Sequence, residues 1–199
     1  MQSTLPIQLD ATRDIRDLPR TLTGRILLAV AASAFVAICA HISVPLYFTP
    51  VPITLQTFAV ILIGLTLGPT LGFSALALYL AEGAAGLPVF SPLAGIGGAS
   101  QLLGPTGGYL FSYPLAAAAA GVVVRIIRSS RAQFPAAILG GIAASFFIFT
   151  MGAGWLAHAL HASPAAAWHM AVMPFLPGEV LKITAAATAY TSLRRWHRS

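Results

Sequence analysis

Residues 173–190 have the sequence MPFLPGEVLKITAAATAY, in which a Pro-Gly pair and Glu179 start a helix and an apolar run follows. Lys182, the only lysine in the chain, lies inside that run. Residues three apart share one helix face, so Glu179 and Lys182 are separated by about 4.5 Å along the axis. Charges inside an apolar helix are costly unless a partner stabilises them. The stretch therefore predicts either an ion pair that fixes helix packing or a polar clamp for a small ligand.

Charged residues are rare in this chain, and the arginines are grouped. The 199 residues are 57% hydrophobic and 8% charged, with a mean hydropathy of +0.83, whereas soluble domains are roughly 25% charged. The arginines form three clusters beside apolar segments, within residues 13–25, 125–131 and 194–198. Basic residues concentrate in cytoplasmic loops, so we predict a multi-pass protein of the cell inner membrane with all three clusters inside. No basic surface with interleaved aromatic residues remains for a nucleic acid.

The N-terminal segment does not have the pattern of a cleavable signal peptide. Its first 20 residues are polar and include Asp10, Asp14 and Asp17, which signal and transit peptides avoid. We therefore predict a cytoplasmic tail over residues 1–23 and one transmembrane domain over residues 24–199.

Metal and thiol chemistry find little support in the sequence. The one cysteine, Cys39, lies in an apolar run and is best interpreted as a small buried residue. His158 and His161 are three apart and could ligate a metal, but no carboxylate or cysteine is near them. We interpret them as polar residues at the membrane interface, and we predict no metal site and no cofactor.

Apolar segments alternate with glycine- and proline-rich breaks, so the predicted fold class is an all-α membrane protein with six transmembrane helices. The predicted spans are residues 25–44, 55–67, 71–85, 103–127, 134–156 and 178–193. Gly68-Pro69-Thr70 separates the second span from the third, and the prolines of residues 45–54 exclude a regular helix there. An even number of spans places both termini in the cytoplasm, as the arginines require.

This topology gathers the intramembrane charges on the outer side. Glu82, Glu179 and Lys182 then lie near the outer ends of their helices, beneath loops that lack charged residues. Ionisable groups inside a membrane usually mark functional sites. We predict a ligand pocket that opens to the exterior.

The first span carries a stripe of small residues, Ala29, Ser33 and Ala37, spaced four apart. Small residues at this spacing allow another helix to approach closely. The stripe predicts either ordinary packing within the chain or a face that binds a partner protein.

Four motifs in order along the chain resemble those of a known family. They are PVPITLQTF at residues 50–58, GLPVF at 86–90, LLGPTGGY at 102–109 and FLPGEVLK at 175–182. Together they resemble the BioY family, the biotin-specific substrate-binding (S) components of energy-coupling factor (ECF) transporters. The resemblance covers about residues 24–195. It implies the six-helix S-component fold, with a proline-rich first loop that covers an outward-facing pocket.

The resemblance also implies a function and partners. The chain would capture biotin with high affinity and deliver it inward together with an ECF energising module. The small-residue face with Ala29, Ser33 and Ala37 would dock on a transmembrane T component. The chain has no Walker motif, so ATP-binding subunits would be separate chains.

The family's site residues can be carried over at three positions. Glu179 and Lys182 match an acidic-x-x-Lys pair in the last helix, although aspartate is common at the first position. Glu82 falls where the family places a polar contact to the ligand. Many members have a basic residue within the glycine loop, where this chain has Ile96. The carboxylate of biotin would then rely on Lys182 alone or on backbone N–H groups.

Biotin requires acceptors for its ureido N–H groups, donors for its ureido oxygen and carboxylate, and apolar walls. Glu179 or Glu82 could accept from the N–H groups, and Lys182 could donate to either the carboxylate or the ureido oxygen. Helix packing or loop anchoring explains the remaining candidates equally well. The candidate neutral partners are Gln56, Thr54 and Ser100, and the candidate wall residues are Tyr47, Phe48, Phe90 and Tyr109.

The sequence leaves three other functions to consider, two of them as alternatives. The chain could be an S component for another small vitamin, although the Met-His start expected of nickel or cobalt members is replaced by Met1-Gln2. It could be a stand-alone biotin carrier that needs no ATPase. An intramembrane enzyme is disfavoured because neither an H-E-x-x-H nor a G-x-S-x-G motif occurs, and we predict no catalytic residue.

Overall fold

The computed structural model describes residues 21–94, 97–127 and 132–196. In chain order the elements are α1 (Leu22–His41), β1 (Ser43–Val44), β2 (Ile53–Thr54), α2 (Gln56–Ala84), α3 (Gly98–Leu103), α4 (Gly107–Ile126), α5 (Gln133–Ala159), α6 (Pro164–Ala171), a 3-10 turn (Met173–Phe175) and α7 (Leu176–Trp196). The predictions made for the tail up to residue 20, for Ile96, and for Arg128, Arg131 and Arg198 lie outside the described residues.

Five helical segments in the described part of the chain are long and apolar enough to cross a membrane. They are Leu22–His41, Gln56–Ala84, Gly107–Ile126, Gln133–Ala159 and the combined segment Pro164–Trp196. The segment Gln56–Ala84 covers two predicted spans, and the last segment begins at Pro164 although α7 itself begins at Leu176; the other ends lie within about four residues of the predicted spans. The protein is therefore a multi-pass helical membrane protein.

The helix α2 contains the predicted break. Gly68 has a φ of 78°, in the left-handed region that glycine adopts without steric cost, and Pro69 follows it. A Cβ built on Gly72 would lie 3.4 Å from the Cα of Gly64. In a continuous helix those two residues would be about 12 Å apart along the axis. The chain thus turns back at Gly68, and the two arms of α2 correspond to the predicted second and third spans.

The arms of α2 pack against α1, α4 and α7, and α5 packs against α4 and α7. Small residues allow these helices to approach closely. A Cβ on Gly64 would overlap the carbonyl oxygen of Ala117 in α4, and one on Gly140 in α5 would lie 3.0 Å from the carbonyl oxygen of Ala120. The largest fully buried apolar side chains of α1, α2 and α5 are Tyr79, Ile61, Leu76, Ile148, Leu156, Val36 and Val60.

The proline-rich loop is closed by a short antiparallel pair that the sequence did not predict. Ser43 pairs with Thr54, and Val44 pairs with Ile53. The backbone N–H of Leu55 also donates to the carbonyl of Ile42 over 3.1 Å. These bonds fix the point at which the chain enters α2.

The small-residue stripe of α1 faces the protein's own core. Ser33 is fully buried, Ala29 is 8% exposed and Ala37 is half-buried. Ala29 and Ser33 are therefore not on the surface that a partner protein would meet, and their small side chains serve packing within the chain. The exposed side of α1 instead carries Leu27, Val30, Ala31, Ala34 and Ile38.

Candidate functional site

A cavity lies among α2, α4, α5 and α7, next to the loops that precede α2 and α4. Its empty volume is about 530 Å³, adjoining solvent included. Aromatic side chains form much of its wall: Tyr109, Tyr113, Phe149 and Phe175. Its neutral polar side chains are Thr54, Gln56, Thr57, Ser91, Gln101 and Thr106. Glu179 and Lys182 complete it.

Glu179 is buried on the cavity wall and held by three side chains. Its Oε1 accepts a hydrogen bond from Ser145 over 2.7 Å, and its Oε2 accepts one from Thr57 over 2.9 Å. The Nζ of Lys182 lies 3.6 Å from Oε2. Hydrogen bonds to an ionised acceptor are stronger than neutral ones. The carboxylate is thereby fixed by α2, α5 and its own helix.

Lys182 lies one turn further along α7 and also lines the cavity. Its side chain is only 12% exposed. An ammonium group has three N–H donors, and the contact with Glu179 engages one side of it. The ion pair is present and Glu179 ties helices together, whereas the ligand clamp stays a prediction for which Lys182 has N–H donors left.

Gln56 is buried and fixed at both ends of its amide. Its Nε2 donates to the hydroxyl of Tyr79 over 2.7 Å, and its Oε1 accepts from Thr54 over 3.1 Å. The Tyr79 hydroxyl in turn donates to the carbonyl of Val89 over 2.9 Å. This chain of bonds ties the start of α2 to the loop after α2 and presents Gln56 and Thr54 to the cavity.

Tyr109 forms part of the wall as the sequence predicted. Its hydroxyl donates to the carbonyl of Ala171 over 2.5 Å. A Cβ on Gly152 would overlap the tyrosine ring, so α5 approaches the ring directly. The Gly107-Gly108 pair packs in the same way against Leu102 and Trp155.

Several predicted ligand contacts lie away from the cavity. The Ser33 hydroxyl donates to Oε2 of Glu82, which ties α1 to the second arm of α2. Phe90 packs edge-on against Tyr79, with ring centroids 5.3 Å apart, and covers Gly83. Ser100 is exposed and donates to the carbonyl of Gly97. Tyr47 and Phe48 are also exposed, at 102% and 61%.

Five polar residues near the site were not predicted. Thr57 and Thr106 lie inside the recognised motifs, where the neighbouring residues drew attention instead. Gln101 lies on the short helix α3 and Ser91 in the loop before it, and Gln101 Nε2 donates to the Ser91 carbonyl over 3.1 Å. Ser145 lies in an apolar run without any sequence signal. Only the fold brings it to Glu179.

Within residues 21–94, 97–127 and 132–196, no group of three or more histidine, cysteine, aspartate or glutamate side chains could hold a metal ion. Cys39 is buried and unpaired with another cysteine in that part of the chain.

Comparison of the sequence with known proteins gives consistent matches. The model of the BioY family matches residues 8–199. A probable biotin transporter BioY of Pyrococcus horikoshii is 37% identical over 156 residues, which cover 78% of this chain and 85% of the relative. The biotin transporter BioY of Thermotoga maritima is 35% identical over 163 residues, covering 82% and 91%. That of Rhodobacter capsulatus is 33% identical over 188 residues, covering 90% and 94%.

Comparison of the fold with solved structures leads to the same group. The matching chain is the S-component for biotin from an ECF-type ABC transporter, in a crystal structure at 2.1 Å. The two chains superpose with a TM-score of 0.77 and are 27% identical. The match covers 86% of this chain and 90% of that chain.

Proposed function

The chain belongs to the BioY family, and from this membership we propose that its cavity captures biotin as the first step of biotin uptake. It is a substrate-binding subunit of a transporter and not an enzyme. The observation that carries the proposal is the Glu179–Lys182 pair on the wall of an aromatic-lined cavity, with Lys182 Nζ 3.6 Å from Glu179 Oε2.

The chemistry of the cavity suits a ligand with an apolar centre and polar ends. Glu179 already accepts from Thr57 and Ser145, but a carboxylate has about four acceptor positions and can also accept from a ureido N–H. Lys182 is a donor for an oxygen of the ligand. The aromatic wall, which includes Tyr109 and Tyr113, suits the fused rings of biotin.

We further propose six membrane crossings with both termini in the cytoplasm, the two arms of α2 counting as separate crossings. Arg125 lies in the last turn of α4 and Arg194 in the last turn of α7, and both line one cleft beside the Gly68 turn. Basic residues favour the cytoplasmic side. This end of the bundle would therefore lie on the cytoplasmic side of the cell inner membrane, and the biotin cavity would open on the opposite side.

The proposed partners are a T component and ATP-binding subunits of an ECF module. Since Ala29 and Ser33 are covered by the chain itself, we assign docking to the exposed side of α1, where Ala31 and Ala34 permit close approach of another helix.

A titration of the purified, detergent-solubilised protein with biotin tests the proposed function. We expect saturable binding of one biotin per chain, weaker binding of biotin methyl ester and none of thiamin. A folded protein that does not bind biotin would remove the substrate assignment and leave the fold unaffected. Equal binding of thiamin would contradict specificity for biotin.

A further inference from the structure

Two buried hydroxyl groups in the cavity have no hydrogen-bond partner among the described residues. They are the Oγ of Ser91 and the Oγ1 of Thr106, and the two residues are 2% and 6% exposed. Buried polar side chains almost always have a partner, because an unpaired hydroxyl retains most of its desolvation cost. Both residues line the cavity that holds Glu179 and Lys182.

The Thr106 hydroxyl does not make the helix-capping hydrogen bond that is usual for threonine at this position. Thr106 is the N-cap of α4, but its side chain caps no backbone N–H. By contrast, Thr21 accepts from the N–H of Gly24 at the start of α1, and Ser163 accepts from that of Ala166 at the start of α6. Threonine at an N-cap usually makes this bond. The backbone of Thr106 lies in the αR region and not in the extended region of Thr21 and Ser163, so its hydroxyl is not used for capping and is left for another partner.

The backbones that carry these hydroxyls are fixed. The carbonyl of Ser91 accepts from Gln101 Nε2 over 3.1 Å and from the N–H of Ala94 over 3.2 Å. The carbonyl of Thr106 accepts from the N–H groups of Tyr109 and Leu110 over 3.1 and 3.3 Å. The positions of the two residues thus do not depend on their hydroxyls.

Thr106 and Glu179 lie beside different residues of α5, so the length of helix between those residues gives their approximate separation. Glu179 accepts from Ser145 on this helix. A Cβ built on Gly107, next to Thr106, would lie 3.1 Å from the ring of Trp155 on the same helix. At 1.5 Å per residue, the separation between Ser145 and Trp155 corresponds to roughly 15 Å along the axis. Thr106 and Glu179 therefore lie toward opposite ends of the cavity.

We propose that Ser91 and Thr106 donate hydrogen bonds to the carboxylate of the ligand, which lies at the end of the cavity away from Glu179. The inference rests on the proposed function, because it takes biotin as the ligand. A ligand carboxylate beside Glu179 would meet a like charge, whereas hydroxyl groups without acceptors can donate to it. The ureido head then lies at Glu179 and Lys182.

Variants that lack these hydroxyls can show whether Ser91 and Thr106 contact the ligand or only stabilise the fold. Thr106→Val keeps the shape of the side chain, and Ser91→Ala removes only the hydroxyl. Neither change breaks a hydrogen bond to the described residues, so the melting temperature of the ligand-free variants should equal or exceed that of the wild type. Each change should weaken biotin binding about tenfold to a hundredfold, the usual effect of losing a hydrogen bond to a charged group.

The test is a titration of the full-length purified wild type and both variants with biotin and with biotin methyl ester. The ester lacks the negative charge, so its affinity should fall less than that of biotin in each variant. Ser100→Ala is the matched control, because that hydroxyl is exposed and bonds only to the carbonyl of Gly97. It should bind biotin like the wild type.

The other possible results of these titrations and melting experiments can be told apart. If the wild type binds biotin and both variants bind it equally well, the inference fails while the proposed function stands. If the variants weaken biotin and the ester equally, the assignment to the carboxylate fails. A fall in the melting temperature of the ligand-free variants would point to a structural role and also overturn it. A wild type that binds no biotin removes both the proposed function and the inference.

Discussion

The buried Glu179 carboxylate is stabilised inside an apolar bundle because side chains from three helices contact it. Thr57 comes from α2, Ser145 from α5 and Lys182 from α7 itself. A buried ion pair contributes little net stability by itself, but removing one partner leaves the other charge without compensation. The two hydroxyl donors reduce that penalty for Glu179. The same arrangement thus stabilises the helix packing and allows Lys182 to serve a ligand.

This arrangement makes Lys182→Met an informative change. We expect biotin affinity to fall about tenfold to a hundredfold, since a charge-assisted donor contributes roughly 1.5–3 kcal/mol. The protein should still fold, because Thr57 and Ser145 continue to hold Glu179. Calorimetric titration of the purified variant measures the effect. Thr184→Val is the control on the same helix, since that exposed hydroxyl donates to the carbonyl of Val180 within its own helix. If Lys182→Met binds biotin with unchanged affinity, Lys182 is not part of the site.

Glu82 should behave differently from Glu179. It does not line the cavity and accepts a hydrogen bond from the fully buried Ser33. We expect Glu82→Gln to keep biotin affinity within about twofold, because the amide can still accept from Ser33. Ser33→Ala should lower the free energy of unfolding by about 1–3 kcal/mol, because it removes the donor to a carboxylate at the α1–α2 contact. Melting temperatures and titrations of both variants test this pair, and a tenfold loss of affinity in Glu82→Gln would return Glu82 to the ligand site.

At the scale of elements, the sequence predicted the helices because glycine, proline and charged residues end the apolar runs. The break at Gly68 and the cap at Ser163 both lie where local chemistry required them. Which side of a helix faces inward was harder to predict. Small residues occur on both sides of α1, with Ala29 and Ser33 buried and Ala31 and Ala34 exposed, and spacing alone cannot distinguish the two sides.

Most of the predicted site residues on the long helices line the cavity, whereas most of those in loops and short elements do not. Glu179, Lys182, Gln56 and Tyr109 lie on helices and line the cavity as expected of ligand contacts. On the short helix α3 the predicted Ser100 is exposed, whereas the adjacent Gln101 is 3% exposed and lines the cavity. Successive residues of a helix point about 100° apart, so neighbours face different sides, and a six-residue helix is too short to show this period in the sequence.

The contact between α2 and α4 should be intolerant of added volume. A Cβ on Gly64 would overlap the carbonyl oxygen of Ala117, and a backbone atom cannot move aside as a flexible side chain can. We expect Gly64→Ala to destabilise the protein by about 1–3 kcal/mol. Gly154→Ala is the control, since nothing lies within 4 Å of its Cβ position and alanine favours a helix. Thermal unfolding in detergent compares the two, and equal stability would show that the helices can separate without cost.

At the scale of the whole molecule, the two ends of the bundle differ in charge. The cavity with Glu179 lies toward one end of α7, and the cleft with Arg125 and Arg194 lies toward the other, beside the Gly68 turn. An S component that captures a ligand outside and meets its energising partners inside requires this polarity. The number of crossings then depends on α2, because its two arms cross the membrane twice if both span it and once if they act as a single segment.

Cysteine labelling can determine this number. In a Cys39→Ala background, single cysteines replace Thr23 at the start of α1, Thr70 after the Gly68 turn, Ser100 before α4 and Ser192 near the end of α7, all of which are exposed. Six crossings place Thr23, Thr70 and Ser192 on the cytoplasmic side and Ser100 on the outer side. A membrane-impermeant maleimide should then label only Ser100→Cys in intact cells, and the other three only after permeabilisation. Five crossings would place Thr23 and Ser192 on opposite sides, so labelling of one without the other in intact cells would contradict both the separate arms of α2 and the proposed orientation of the biotin cavity.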